Sequence, residues 1–147
     1  MNNTIYETSS SSRFAGQAID IWNNGDGDFP TRGLVVLNNL LVQSSGEGVY
    51  GSCSSSMPSN LVDYNLTYAN AKGPFAQYDG GCLLYTLGLH NLEDQDPLLV
   101  DPGLGDFRPR PGSPAIGKGA AAYTAPYDAT GRARRTADLG AFAAARP

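Results

Sequence analysis

Apolar residues in this chain come in short runs set between polar residues at recurring places. Asn2-Asn3-Thr4-Ile5-Tyr6-Glu7-Thr8 is echoed by Asn38-Asn39-Leu40-Leu41-Val42-Gln43-Ser44, and again by Tyr64-Asn65-Leu66-Thr67-Tyr68-Ala69-Asn70. After each comes a glycine and a second apolar run: Gly16-Gln17-Ala18-Ile19-Asp20-Ile21-Trp22, Gly46-Glu47-Gly48-Val49-Tyr50-Gly51-Ser52, and Gly73-Pro74-Phe75-Ala76-Gln77-Tyr78-Asp79. The asparagines Asn3, Asn39 and Asn65 are spaced 36 and 26 positions apart; the glycines Gly16, Gly46 and Gly73 are spaced 30 and 27. Leu34-Val35-Val36-Leu37 and Leu61-Val62 lead into the second and third asparagine strands. No segment before residue 110 sustains a helical period. Two short strands per repeat, joined by loops of unequal length, predict an all-β chain wound as a parallel β-helix of about three turns.

Stacking successive turns at about 4.8 Å puts equivalent residues in columns. Asn3, Asn39 and Asn65 then form an asparagine ladder, whose amides bond one another and nearby backbone. In the glycine strands, a period of two sends alternate side chains to opposite faces. With Ile19, Val49 and Ala76 pointing inward, the outward columns are Asp20, Tyr50, Gln77 and Trp22, Ser52, Asp79. Such a face can bind sugar: aromatic rings stack on C–H surfaces, while carboxylates and amides take hydroxyls. The competing readings are a plain solvent-facing surface, a surface on which the tail packs with an amphipathic Trp22, or the reverse assignment of inward and outward columns.

Loops break out between the strands at Ser9 to Arg13, Asn23 to Pro30 and Ser54 to Ser59, where function commonly resides. Within the second, Asp26 and Asp28 flank Gly27 and offer hard oxygen ligands, a candidate Ca²⁺ site well short of an EF-hand pattern. Cys53 and Cys82 fall near each other on adjacent turns. Two readings stay open for them, a disulfide or two separate small buried residues. Together with the lone His90 they make no zinc pattern. Of the 147 residues 41% are hydrophobic and 16% charged, which excludes a disordered chain. The net charge is −4 and the densest basic stretch is Arg132-Ala133-Arg134-Arg135, so a nucleic-acid partner has no support. No apolar stretch approaches the roughly 18 residues of a membrane-spanning helix, and the opening residues carry no signal-peptide pattern.

From His90 the repeat gives way to Asp96-Pro97-Leu98-Leu99-Val100-Asp101-Pro102, Gly105-Asp106-Phe107-Arg108, Gly112-Ser113-Pro114-Ala115-Ile116-Gly117-Lys118-Gly119, Asp128 with Gly131-Arg132, and Asp138-Leu139-Gly140-Ala141-Phe142. This series resembles the closing segment of secreted bacterial right-handed β-helix proteins of the pectate-lyase-like superfamily. Leu99, Pro109, Gly117 and Ala143 depart from the family pattern. The resemblance implies a right-handed coil over residues 1–89, closed by a loop-rich capping tail over 90–147 in the same domain. It also implies an extracellular or cell-surface setting and a bias toward polysaccharides. Pro97, Pro102, Pro109, Pro111 and Pro114 suit a segment that ends strand pairing, and the tail is expected to fold back over the last turn.

No catalytic motif of the family maps onto a position here, so the catalytic residues are unknown and enzymatic activity is undecided. A β-elimination lyase needs a base and a cation beside the substrate carboxylate; Lys72, Lys118, Arg13, Arg32 and His90 are the residues to weigh. A glycosidase needs two carboxylates about 5–10 Å apart, for which Asp20 and Asp79 are candidates. Three function classes follow: a polysaccharide-binding module, a short form or fragment of a polysaccharide lyase or hydrolase, and a purely structural module of a surface protein. At the other end the first strand begins at once, with no cover. It is expected to meet either upstream turns or a second copy, making a homodimer.

Overall fold

The computed structural model describes residues 1–10, 16–23, 32–53, 59–77 and 83–145. They form an all-β structure whose only helices are two 3-10 turns, Pro102–Leu104 and Ala121–Tyr123. Nine short strands run in sequence as β1 (Thr4–Tyr6), β2 (Ile19–Asn23), β3 (Val35–Leu37), β4 (Leu40–Val42), β5 (Val49–Cys53), β6 (Leu61–Asp63), β7 (Leu66–Tyr68), β8 (Phe75–Gln77) and β9 (Thr86–Leu87). They sort into three parallel sheets ordered β1-β4-β7, β2-β5-β8 and β3-β6-β9. The chain therefore visits each sheet once per circuit, three times over, a connectivity compatible with a β-helix. Each circuit uses three strands where the sequence predicted two. The difference lies at Leu37-Asn38-Asn39-Leu40, which reads as one continuous strand but bends at Asn38, whose φ is 59°.

That bend recurs. Asn2, Asn38 and Tyr64 hold positive φ just before a strand of the first sheet, and Glu7, Gln43 and Ala69 hold it just after one. Left-handed backbone costs a non-glycine residue roughly 1–2 kcal/mol, so it persists only where the surroundings fix it. Hydrogen bonds between circuits do so: the N–H of Asn38 donates to Tyr64 O at 2.8 Å and that of Gln43 to Tyr68 O at 2.9 Å.

The asparagine ladder is present and runs one rung further than the repeat predicted. The Asn3 side-chain amide donates to Asn39 Oδ1 (3.0 Å), that of Asn39 to Asn65 Oδ1 (2.8 Å), and that of Asn65 to Asn91 Oδ1 (3.1 Å). In each pair the upper backbone N–H donates to the same oxygen. The expectation that the repeat stops at His90 is thus corrected. Asn91 stands 26 residues after Asn65, and Leu92 bridges to Leu66 in parallel. Asn60 and Asn70 serve other corners, accepting from the N–H of Leu34 and of Ser44 at 2.9 Å.

Two apolar cores result. The first lies between the three sheets and holds Leu41, Ile21, Val49, Val36 and Val62. Leu84 and Tyr85 fill it next to β8, with the Tyr85 hydroxyl donating to Ala76 O at 3.0 Å. Gly51 makes room for that ring, since a Cβ there would stand 2.8 Å from it. The second core lies on the opposite face of the first sheet, where Leu40, Val42 and Leu66 meet Leu99, Ala115 and Leu139 of the tail.

The tail begins on the last circuit, where Leu92 N–H donates to Asn65 O (2.7 Å), Thr67 N–H to Leu92 O (2.9 Å) and Gln95 N–H to Thr67 O (3.1 Å). From there it runs along the side of the β1-β4-β7 sheet and reaches the first circuit, a longer course than a fold back over the last turn. Gly140 N–H donates to Asn38 O (2.9 Å) and Ala141 N–H to Thr4 Oγ1 (2.9 Å). The physical reason is in Leu40-Leu41-Val42, which is apolar on both faces and needs cover on both. The tail motif residues hold the segment together. β10 (Leu99–Asp101) pairs antiparallel with β11 (Asp106–Pro109). Phe107 lies between the rings of Tyr6 and Phe142, at 5.3 and 6.2 Å. The buried Asp138 accepts from the N–H of Gly117 and of Ala144, both at 3.0 Å, and from Thr136 Oγ1 at 2.7 Å.

Candidate functional site

The outer face of the β2-β5-β8 sheet carries the aromatic and acidic residues singled out above. Ile19, Val49 and Phe75 form one column, facing the core between the sheets. Ile21 and Gly51 continue the next inward column. The alternate positions, Asp20, Tyr50 and Ala76 in one column and Trp22 beside Ser52 in the other, therefore point outward. Trp22 is 54% exposed, well above what a core tryptophan shows. Asp20 is exposed and Tyr50 half-buried. Partial loss of hydration, followed by the charge of Glu47, holds the Asp20 carboxyl above its ordinary pKa. A carboxyl so placed accepts from a neutral hydroxyl and disfavours an anion beside it.

Gln77 does not join this face. It pairs with Gly51, an inward position, and its side chain is spent on the chain itself. Gln77 Oε1 accepts from the N–H of Leu84 (2.7 Å) and of Tyr85 (3.1 Å), while Nε2 donates to Tyr85 O (3.1 Å). Anchoring the third repeat on Gly73 causes the slip. Val49 stands three residues after Gly46 but its partner Phe75 only two after Gly73, so the register shifts by one and Ala76 faces outward instead of inward. The 26-residue step that relates Asn39 to Asn65 also relates Val49 to Phe75, and it was the signal to follow. Asp79, Asp26, Asp28, Arg13, Cys82 and the side chain of Cys53 lie outside the described residues. Among the described residues no three His, Cys, Asp or Glu side chains gather as a metal site.

A second constellation involves His90 and a partner that the sequence did not reveal. Asp63 is buried. Its Oδ1 accepts from the backbone N–H of Tyr64 (2.9 Å) and of His90 (2.8 Å), and its Oδ2 meets His90 Nδ1 at 2.9 Å. The imidazole stacks on the Tyr64 ring with centroids 4.2 Å apart and planes 9° from parallel. Because a carboxylate only accepts, this contact calls for the proton on Nδ1. The side chain of His90 is 58% exposed. Gly88 permits the arrangement, since any Cβ there would strike the Asp63 carboxyl. The pair sits at a different corner from Trp22, so the two do not form one site. Arg32 and Lys72 are exposed, as is Lys118 on the tail.

Comparison of the chain with family models, curated proteins and solved structures gives no match in any of the three. The functional reading therefore rests on the geometry and on the sequence.

Proposed function

We propose that the chain is a right-handed parallel β-helix module that binds extracellular polysaccharide on the outer face of its β2-β5-β8 sheet. The observation that carries this reading is the exposed Trp22 on the outer sheet face with Asp20 and Tyr50 in the adjoining column. A large aromatic ring about half exposed beside hydrogen-bonding groups suits a ligand with both C–H and hydroxyl surfaces. The tail motif, and its resemblance to secreted β-helix proteins, supports the same reading. Trp22→Ala is expected to weaken binding to a responsive polysaccharide at least about tenfold. It should leave the melting temperature nearly unchanged, because the side chain is exposed. A panel of neutral and acidic polysaccharides, read by affinity electrophoresis and for unsaturated products, tests it. Loss of folding in Trp22→Ala, or binding that survives the substitution, removes the site; release of unsaturated products would move the reading to a lyase.

The first-circuit edge suits either further turns of the same coil or a second copy as partner. β1, β2 and β3 each end their sheets; of their inward residues Ile5 and Ile19 are half-buried, while Ile21 and Val36 are buried. Strands that end a sheet invite pairing with a further strand. Sedimentation velocity is expected to show a concentration-dependent dimer. A single monomeric species up to millimolar protein would refute it.

A further inference from the structure

A cleft of about 300 Å³ opens where the tail meets the C-terminal ends of the first sheet's strands. It lies on a different sheet from Trp22. Tyr6 and Tyr68 stand in one column with Val42 between them, which sets the two tyrosines about 9–10 Å apart. Val42 and Leu99, both buried, give the cleft an aliphatic floor. Its rim carries Gln43, Asp96 and Arg110. These supply one amide that donates and accepts, one group that only accepts and one that only donates.

Two features set this cleft apart from an ordinary crevice. Leu98, which lines it, has φ 48° and is 41% exposed. Left-handed backbone recurs at the corners of this fold, Gln43 on the same rim included, but at Leu98 it comes with partial exposure of a large apolar side chain beside the cleft. The neighbouring rim residues hold it there. Leu98 N–H donates to Asp96 Oδ1 at 2.8 Å, and Arg110 N–H donates to Leu98 O at 2.8 Å. Asp96 and Arg110 also share the cleft without forming an ion pair. The Arg110 guanidinium donates instead to Val100 O, which fixes its direction and leaves further N–H groups for a ligand.

We propose that this cleft is a binding site for a single neutral pyranose ring. Aromatic rings across an aliphatic floor suit the C–H faces of a sugar, and the three rim groups suit its hydroxyls and ring oxygen. The volume is at the small end for ligand pockets, the size of one ring. Both charged rim groups are exposed, so solvent screens them and they act as hydrogen-bonding partners more than as charges. That favours an uncharged polyol over a zwitterion or a uronate. The site does not depend on the Trp22 face, and one ligand chain could engage both.

The test is titration of the intact protein with methyl glycosides of glucose, galactose, mannose and N-acetylglucosamine, with glucuronate and glycine as charged probes, followed by amide chemical shifts. At least one neutral glycoside is expected to shift the amides of Leu98 and Gln43 and to saturate in the millimolar range. Tyr68→Ala should weaken that binding at least about tenfold. Gln43→Gly removes the rim amide at a position whose positive φ suits glycine, so folding is preserved, and it should weaken binding several-fold. Trp22→Ala should leave it unchanged. The proposal is overturned if no neutral glycoside saturates, if only glucuronate or glycine does, or if Gln43→Gly and a folded Tyr68→Ala bind as tightly as the parent. Loss of this binding in Trp22→Ala with Tyr68→Ala unaffected would assign the sugar to the other face.

Discussion

Asn65→Ala is expected to lower the unfolding free energy by about 3–5 kcal/mol. The side chain is fully buried. Its Oδ1 accepts from the backbone and side-chain N–H groups of Asn39, and its amide shares two N–H groups among Val36 O, Asp63 O and Asn91 Oδ1 at 3.0–3.1 Å. Alanine would leave the Asn39 groups and two carbonyls buried without partners, each at about 1–3 kcal/mol. The same substitution at Asn3, the exposed end rung, should cost under about 1 kcal/mol, because water replaces what is lost. Urea unfolding of both variants measures the difference. Equal losses at the two rungs would show that the ladder is not what holds the circuits together.

The second large effect is expected in the tail, and it depends on pH. Burial alone would push the Asp128 carboxyl up, but hydrogen bonds from Thr130, Arg132 and Ala143 outweigh it and bring the pKa down to about 2. Oδ1 accepts from Thr130 N–H (2.9 Å), Thr130 Oγ1 (2.7 Å) and Arg132 N–H (2.9 Å), and Oδ2 from Ala143 N–H (3.1 Å). The unfolded carboxyl titrates near 3.9. Since the folded pKa is the lower one, this stabilisation is complete above about pH 4–5 and is lost as the pH falls toward 2. Asp106, held low by its bonds to Arg108, follows the same sign. Asp128→Ala should cost about 2–4 kcal/mol at neutral pH. Asp128→Asn keeps one acceptor, and its melting temperature should fall less steeply than the parent's between pH 4 and 2. Parallel acid profiles for parent and Asp128→Asn would show that another carboxylate governs acid stability.

The asparagine spacing and the alternation of apolar residues by themselves determined an all-β chain of stacked parallel strands. They also set the ladder register and the outward placement of Asp20, Trp22 and Tyr50. These features are local. A period of two decides which side chains share a face, and an amide that bonds its own copy one circuit away must recur at the circuit length. What the sequence left unreadable involves residues distant along the chain or a change of backbone direction. Asn38 bends what looks like one strand into two sheets, a matter of its φ rather than its apolar neighbours. Gln77 turned inward because its carbonyl and amide serve Leu84 and Tyr85, which no glycine alignment reveals. Asp63 became the partner of His90 only once the circuits were stacked. Only the tertiary structure decided where the tail goes. Leu40, Val42 and Leu66 announce a second face in need of burial, but many apolar segments could supply it. The choice of Leu99, Ala115 and Leu139 follows from shape and from hydrogen bonds such as Gly140 to Asn38, formed across about a hundred residues of chain.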